Sequence, residues 1–304
     1  MRWRKLGLVV PPGGAAPWAR THAAVPVCLP LDDRQLSIVY CARDDLQRSR
    51  PARAVVDLSS LAVLKRSAQP LMDLGPAGTF DDSGNMPTWA VTIAGTPLIY
   101  YIGWNRAVTV PFQNAIGVAH YDPASGAMTR LFDGPIVARS RRDPYFVASC
   151  AVLPFKGGWR MWYLSCNGWI TRDGELTHRY NIKQMDSKDG VDWNGPATTA
   201  IDFADAGEYA ISRPSILVEN GVYHMWYSHR GGSYRIGYAR SDDGENWVRR
   251  DDLVGIGVSE SGWDSEMVCY PHVFEMNGRR YMAYNGNGYG ATGIGLAVLE
   301  SELK

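Results

Sequence analysis

The chain has 304 residues, of which 45% are hydrophobic and 20% are charged, and its 31 basic and 31 acidic side chains leave no formal net charge. This composition excludes a mainly disordered chain. It also predicts no binding to nucleic acid or to a membrane surface, because both need clusters of lysine and arginine that the sequence lacks.

Five cysteines are odd in number, widely spaced and without a Cys-x-x-Cys pair: Cys28, Cys41, Cys150, Cys166 and Cys269. We therefore predict neither a zinc site nor a disulfide framework, and we expect reduced, mostly buried thiols. Near the N-terminus, the apolar run from Leu6 to Val10 is too short for a signal peptide or a membrane span. A cytoplasmic protein is the expectation.

In chain order, the first predicted element is a strand from Trp3 to Val10, and one pattern then repeats five times. Each copy opens with a short segment, in four of the five copies one that contains or adjoins proline: His22 to Pro26, Asn85 to Thr88, Val147 to Cys150, Ser212 to Ser215 and Cys269 to His272. An aromatic run of strand length follows: Gln35 to Cys41, Pro97 to Trp104, Trp159 to Ser165, Tyr223 to Ser228 and Arg280 to Asn285.

The last four copies continue with a third run, one hairpin further along: Asn114 to His120, Tyr180 to Met185, Tyr234 to Ala239 and Thr292 to Val298. Two of these runs lead into nearly identical turns, at residues 187–193 and 241–247. In both turns an Asp-Gly pair supplies the positive φ of a tight hairpin, and a tryptophan is expected to pack back onto the sheet.

If Pro26, Pro87, Ser149, Pro214 and Pro271 are equivalent positions, the copies are 61, 62, 65 and 57 residues apart. A unit of three or four short strands that recurs at this period predicts an all-β, five-bladed β-propeller, as one domain over residues 1–304. A two-sheet sandwich would not require the recurrence. We expect the N-terminal strand to join the last blade and close the ring.

The innermost strands of a propeller line its channel, and acidic residues precede four of them. They are Asp81 and Asp82, Asp143, Glu208 and Glu266. Asp81, Asp143 and Glu208 stand six residues before the reference position, whereas Asp82 and Glu266 stand five before it, so Asp81 and Asp82 are rivals for one role. Alternatively, each acid caps a turn or pairs with a nearby arginine.

These acids and their neighbouring motifs resemble those of the five-bladed propeller glycoside hydrolases, families 32, 43 and their relatives. The resemblance rests on Asp81 and Asp82 before Pro87, on Arg142-Asp143-Pro144, and on Glu208 before Pro214. It implies that Asp81 or Asp82 is the nucleophile or general base and that Glu208 is the general acid. It also implies that Asp143 holds sugar hydroxyls and raises the pKa of the acid. Glu266 is the substitute acid.

Further polar and aromatic residues near the predicted channel are candidates for substrate binding: His22, Arg142, Arg213, Tyr270, His272, Trp104, Trp169 and Asn285. Packing between blades is the alternative role for the tryptophans. The histidine spacing predicts no metal site, and no cofactor is expected, although Asp and His groups would permit a structural Ca²⁺ in the channel.

Three functions follow from this reading. The first is a glycoside hydrolase-like enzyme that cleaves or transfers a glycosyl group on a small glycoside or glycoconjugate. The second is a biosynthetic enzyme that reuses the pocket for glycosyl transfer, phosphorolysis or cyclisation. The third is a propeller that binds a sugar or a protein without catalysis. The expected partner is a small-molecule or carbohydrate substrate.

Overall fold

The computed structural model describes residues 1–172 and 174–301, and almost all of its regular structure is β-strand. Along the chain the strands are β1 (Arg2–Val10), β2 (Thr21–Pro30), β3 (Gln35–Arg43), β4 (Ser49–Asp57), β5 (Val63–Arg66), β6 (Gly84–Ile93), β7 (Thr96–Arg106), β8 (Phe112–Tyr121), β9 (Met128–Arg130), β10 (Val147–Phe155), β11 (Gly158–Arg172), β12 (Glu175–Ser187), β13 (Ala197–Ile201), β14 (Ala210–Glu219), β15 (Val222–Arg230), β16 (Arg235–Ser241), β17 (Val248–Arg249), β18 (Cys269–Met276), β19 (Arg279–Asn285) and β20 (Ile294–Ser301). A 3₁₀ turn spans Asp251–Leu253, and one helical turn, α1, spans Asn287–Gly290.

Each predicted copy forms a set of four consecutively paired strands. The sets are β2 to β5, β6 to β9, β10 to β13, β14 to β17, and β18 to β20 with β1. The short opening segment of each copy lies in the first strand of its set, and the aromatic run lies in the second. These strands confirm the all-β prediction. Aromatic and β-branched residues favour strands because their side chains fit a pleated surface that packs on both faces.

Contacts divide the chain into two compact units, the first made of residues 1–71 and 215–304 and the second of residues 72–214. In the first unit β1 pairs antiparallel with β20, from Arg2 opposite Ser301 to Val10 opposite Ile294. Val9 and Val10 enter an apolar core with the strands of the first and fifth sets. The buried Trp3 meets the edge of Trp226 in a second core, at 6.1 Å between ring centroids.

Within each unit, side chains join the first strands of neighbouring sets. In the second unit, the Thr88 hydroxyl accepts the Cys150 N–H at 2.9 Å, and the Arg213 N–H donates to Ser149 Oγ at 3.0 Å. In the first unit, the Val273 N–H donates to Ser215 Oγ at 2.8 Å. Most of these strands also contain a register shift. Thr88 and Ser149, which accept two of these lateral bonds, lie at the shifts of β6 and β10.

The two predicted Asp-Gly turns have the same hydrogen bonds. Gly190 has φ of 77° and Gly244 has φ of 72°. Asp189 Oδ1 accepts the N–H groups of residues 191 and 192, and Asp243 Oδ1 accepts those of residues 245 and 246. Trp193 is buried, which confirms that it packs back onto the sheet.

All five cysteines are buried and have free thiols, as predicted. In the part of the chain that the structure describes, no helix is long and apolar enough to cross a membrane.

Candidate functional site

Four of the five predicted catalytic acids lie in the second unit, and two of them, Asp81 and Asp143, each lie beside a tyrosine and a cation of their own strand set. Asp143 accepts hydrogen bonds from Tyr163 at 3.1 Å and from Ser165 at 2.6 Å, and Lys183 Nζ lies 3.0 Å from its Oδ1. Burial, and then the charge of Asp143, raise the pKa of Tyr163. Asp143 is therefore ion-paired and almost wholly buried.

Asp81 has the same environment. Its Oδ2 lies 2.6 Å from Arg130 Nη2, and its side chain is 1% exposed. Burial, followed by the Asp81 charge, raises the pKa of the neighbouring Tyr101. Of the two rivals, Asp81 is thus the buried residue. Asp82 is half-buried, and its carboxylate accepts the Gly78 N–H and the Ser83 hydroxyl.

The first unit repeats the arrangement with acids that the sequence analysis did not select. Tyr284 donates to Asp264 Oδ2 at 2.9 Å, and Lys5 Nζ lies 2.7 Å from the same oxygen. Tyr227 donates to Asp251, which pairs with an arginine of β17. A tyrosine, an acid and a cation thus recur in four strand sets, and Asp81 and Asp143 each belong to one such group.

Glu208 is placed differently. Its carboxylate accepts the Ala204 N–H at 2.8 Å, and Asp205 accepts the Glu208 N–H at 3.1 Å, so a tight loop holds the residue just before β14. Tyr209, next in the chain, is bonded through its carbonyl to the Tyr180 N–H of β12. Glu208 is 6% exposed. A carboxyl that is buried beside a strand end is a candidate proton donor.

A long hairpin flanks the Glu208 loop. Strands β11 and β12 have 15 and 13 residues, the longest of the described strands, and they pair as far as Arg172 opposite Glu175. The Arg172 guanidinium lies 4.3 Å from the centroid of the Tyr209 ring, which fastens the hairpin to the loop that carries Glu208.

The predicted residue Trp169 lies on this hairpin. It meets the edge of His178 directly across the two strands, at 5.7 Å, and the rings of Phe112 and Phe146 at 5.5 and 5.9 Å. Its Nε1 is buried and has no hydrogen-bond partner among the described residues. The sequence analysis did not identify Phe112, Phe146 and His178, because these residues lie outside the repeated segments.

Other predicted residues of the second unit have structural partners. Arg142 donates to the carbonyl oxygens of Asn194 and Gly195, which ties it to a turn. Arg213 is 1% exposed and donates to Thr88. Trp104 is half-buried at the end of β7, opposite Gly84 and Asn114.

In the first unit, two predicted binding residues have strained backbones. His22 has φ of 61° and Tyr270 has φ of 54°, in the left-handed region that residues with a side chain rarely adopt. Burial, and then the charge of Arg43, lowers the pKa of His22 to about 4. The His22 Nδ1 is 3.0 Å from Thr21 Oγ1. Strain of this kind concentrates at functional sites.

His272 and Asn285 connect the fifth set to β2. The Cys28 N–H donates to His272 Nδ1 at 3.3 Å. Asn285 is fully buried, accepts the Val25 N–H and donates to the Ala23 carbonyl oxygen. Glu266, by contrast, has an exposed side chain, and its N–H donates to Asn287 Oδ1.

Beside Tyr270 lies an aromatic and cationic cluster that the sequence analysis left out of the site. Tyr234 lies 5.8 Å from Tyr270 and 5.9 Å from Tyr289, measured between ring centroids. Arg230 Nη1 donates to the Tyr289 hydroxyl at 2.8 Å. The glycine-rich stretch from Gly286 to Gly293 was the available signal, since consecutive glycines around an aromatic residue indicate an unusual turn.

No group of three or more His, Cys, Asp and Glu side chains converges as a metal site among residues 1–172 and 174–301. The Ca²⁺ that the sequence would permit thus has no such ligand group there.

No family model matches the chain. Two curated proteins of Mycobacterium tuberculosis are similar to it over nearly its whole length. "Uncharacterized protein MT1551", from strain CDC 1551, and "Uncharacterized protein Rv1502", from strain H37Rv, are each 41% identical over 302 residues, which cover 99% of this chain and 100% of theirs.

Several solved structures share the fold at low identity. A complex of BT0996 with RGII has a TM-score of 0.75 at 20% identity, with 98% of this chain and 91% of the BT0996 chain covered. A thermostable family-43 glycoside hydrolase has a TM-score of 0.69 at 14% identity, with 95% and 91% covered. A structure from the GH130 family of mannoside phosphorylases, which contains glycoside hydrolases, has a TM-score of 0.73 at 15% identity, with 99% and 95% covered. The fold that these comparisons show is the five-bladed propeller of the family 43 and GH130 proteins.

Proposed function

The chain belongs to the same protein family as MT1551 and Rv1502, and we propose that this family consists of carbohydrate-active enzymes that cleave or transfer a glycosyl group. Support comes from the propeller fold shared with glycoside hydrolases and phosphorylases, and from a neighbour in complex with RGII. The substrate class is a small glycoside or glycoconjugate.

The placement of Glu208 carries the proposal. Asp81 and Asp143 are ion-paired with Arg130 and Lys183. Glu208 is buried next to an aromatic hairpin, and its carboxylate accepts the Ala204 N–H. Burial disfavours the charged form of a carboxyl, and a general acid must hold a proton that it can give to a leaving oxygen. We assign Glu208 as the general acid.

Asp82 is the carboxylate that we assign as the nucleophile or base. It is half-buried, and its two carboxylate oxygens accept hydrogen bonds from Gly78 and Ser83. Trp169 is half-buried on the adjacent hairpin and is the aromatic ring that we propose for stacking on a sugar face.

The test compares leaving groups. Wild-type protein is screened on aryl glycosides and on unactivated oligosaccharides, with and without inorganic phosphate, and the active substrate is then given to Glu208→Gln. Loss of a general acid lowers kcat by about 10² to 10⁴-fold on a poor leaving group and much less on a dinitrophenyl leaving group. Equal losses on both would remove Glu208 from the acid role. Glu260→Gln, which changes an exposed acid, is the matched control.

The same screen separates the competing functions. Turnover that requires phosphate identifies a phosphorylase. Sugar binding without any turnover, and with binding retained in Glu208→Gln and Asp82→Asn, identifies a non-catalytic sugar-binding protein and overturns the proposal.

We also infer that β1 closes the propeller. Its pairing with β20 and the Lys5–Asp264 ion pair in the same strand set support this role. Removal of residues 1–10 is expected to abolish cooperative unfolding, and a truncated protein that melts like the full chain would contradict the inference.

A further inference from the structure

Arg230, at the end of β15, meets Tyr289, in the helical turn α1 that follows β19, and neither belongs to the proposed acid machinery. Arg230 ends β15, and its Nη1 donates to the Tyr289 hydroxyl at 2.8 Å. The guanidinium carbon lies 4.8 Å from the centroid of the Tyr234 ring and 5.8 Å from that of the Tyr289 ring. The cation is therefore positioned by two aromatic faces.

The Tyr289 hydroxyl has donor capacity left. A phenol that accepts one N–H keeps its own proton for a further acceptor. The residue is 38% exposed, so an incoming ligand can reach the ring. The pair therefore offers a ligand two kinds of hydrogen-bond donor, the charged guanidinium of Arg230 and the neutral hydroxyl of Tyr289.

The turn that presents Tyr289 is strained and firmly fixed. Gly288 and Tyr289 have φ of 62° and 59° in succession. Asn287 anchors the turn, because its Oδ1 accepts the N–H groups of Glu266 and Met267 and its Nδ2 donates to the Gly262 carbonyl oxygen. Backbone strain that neighbouring residues hold in place is a feature of binding sites. Because the turn is already fixed, a ligand does not lose affinity to the entropy cost of ordering it.

We propose that the Arg230–Tyr289 pair binds the carboxylate of an acidic sugar, an inference that rests on the proposed carbohydrate function and names its substrate class. A guanidinium matches the planar, singly charged carboxylate in both geometry and charge. Of the neighbouring charged residues, Arg235 is occupied with the carbonyl oxygens of Tyr234 and Glu266, and the Glu266 side chain is exposed.

Binding is measured directly by calorimetry or NMR titration of the full chain, with D-glucuronate and D-galacturonate against glucose and galactose. At least one acidic sugar is expected to bind about tenfold or more tightly than its neutral counterpart. Arg230→Gln is expected to abolish this preference, and Tyr289→Phe to reduce it while keeping the ring against Tyr234. Arg250→Gln, at an exposed arginine, is the control.

Equal binding of acidic and neutral sugars by the wild type would overturn the proposal. A preference that survives in both variants would also overturn it, as would binding of inorganic phosphate at the pair without binding of either uronate. Tyr289→Phe decides the question if Arg230→Gln does not fold. Since no turnover is needed, failure here is distinct from failure of the Glu208 assignment.

Discussion

Lys183 Nζ lies 3.0 Å from Asp143 Oδ1 and also donates to the Arg142 carbonyl oxygen, so one ammonium group neutralises a carboxylate that is 2% exposed. Because a buried charge that loses its partner remains costly, Lys183→Met is expected to lower the free energy of unfolding by about 3 to 5 kcal/mol. Urea denaturation measures the loss. Lys188→Met, at an exposed lysine, should change nothing, and an equally small effect at Lys183 would show that the ion pair does not stabilise the fold.

His22 predicts a dependence of stability on pH. Its pKa is about 4 in the folded chain, below the ordinary value of 6.5, so the unfolded chain binds the proton more readily. Its contribution to stability is therefore complete above pH 6.5 and declines as the pH falls toward 4. His22→Asn keeps a residue that tolerates positive φ and removes the titration.

The melting temperatures of wild type and His22→Asn, measured from pH 7.5 to pH 4.5, should differ by an amount that changes with pH. His120→Asn, at an exposed histidine, is the control. A constant difference between wild type and His22→Asn would refute the prediction.

The ion pair between Asp264 and Lys5 of β1 predicts that the protein loses stability in acid. Burial acts to raise its pKa, but Lys5 and the hydroxyls of Ser259 and Tyr284 outweigh burial and hold the pKa below the ordinary 3.8. Stability from this carboxylate is therefore present above pH 3.8 and is lost as the pH falls through the lower folded value.

Lys5→Met should lower the urea midpoint at pH 7 and weaken the decline in stability below about pH 4. Arg4→Met, on the same strand, breaks an exposed pair with Glu300 and is expected to cost no more than about 1 kcal/mol. Similar effects of the two variants would indicate that burial of the Lys5 pair has no energetic consequence.

Removal of the Asn285 side-chain amide is expected to lower the stability of the fold substantially. Its side chain accepts the Val25 N–H and donates to the carbonyl oxygens of Ala23 and Gly293. Asn285→Ala leaves these buried groups unsatisfied and should cost about 2 to 4 kcal/mol.

Asn285→Asp should cost more than Asn285→Ala, because a carboxylate would face two carbonyl oxygens. Chemical denaturation ranks the variants, with Asn194→Ala, at an exposed asparagine, as the control. The prediction fails if Asn285→Ala is as stable as this control.

The repeat predicted the strands well because each copy carries its own pattern. The aromatic run from Trp159 to Ser165 lies within β11, and the run from Tyr223 to Ser228 lies within β15. Local alternation and turn chemistry are sufficient for such elements. The length of β11 beyond Ser165 was not predicted, since residues 166–172 have no counterpart in the other copies.

The site was harder to predict because its pairings join distant parts of the chain. Asp81 meets Arg130, 49 residues away, and Lys5 meets Asp264, 259 residues away. The recurrence of the acids was visible in the sequence, but the tyrosine and the cation beside Asp81 and beside Asp143 were not. Asp81 and Asp82 are adjacent in the chain, and only the structure distinguishes them, by burial and by the ion pair of Asp81 with Arg130.

The pairing of β1 with β20 has a consequence for synthesis of the protein. Residues 1–71 share a compact unit with residues 215–304, and Val10 lies opposite Ile294. During translation β1 therefore lacks its partner strand, and its apolar residues stay unpaired, until β20 has left the ribosome. Such long-range pairing slows folding and exposes a strand edge, and a chaperone that binds extended apolar segments would act on residues 1–10 during this interval.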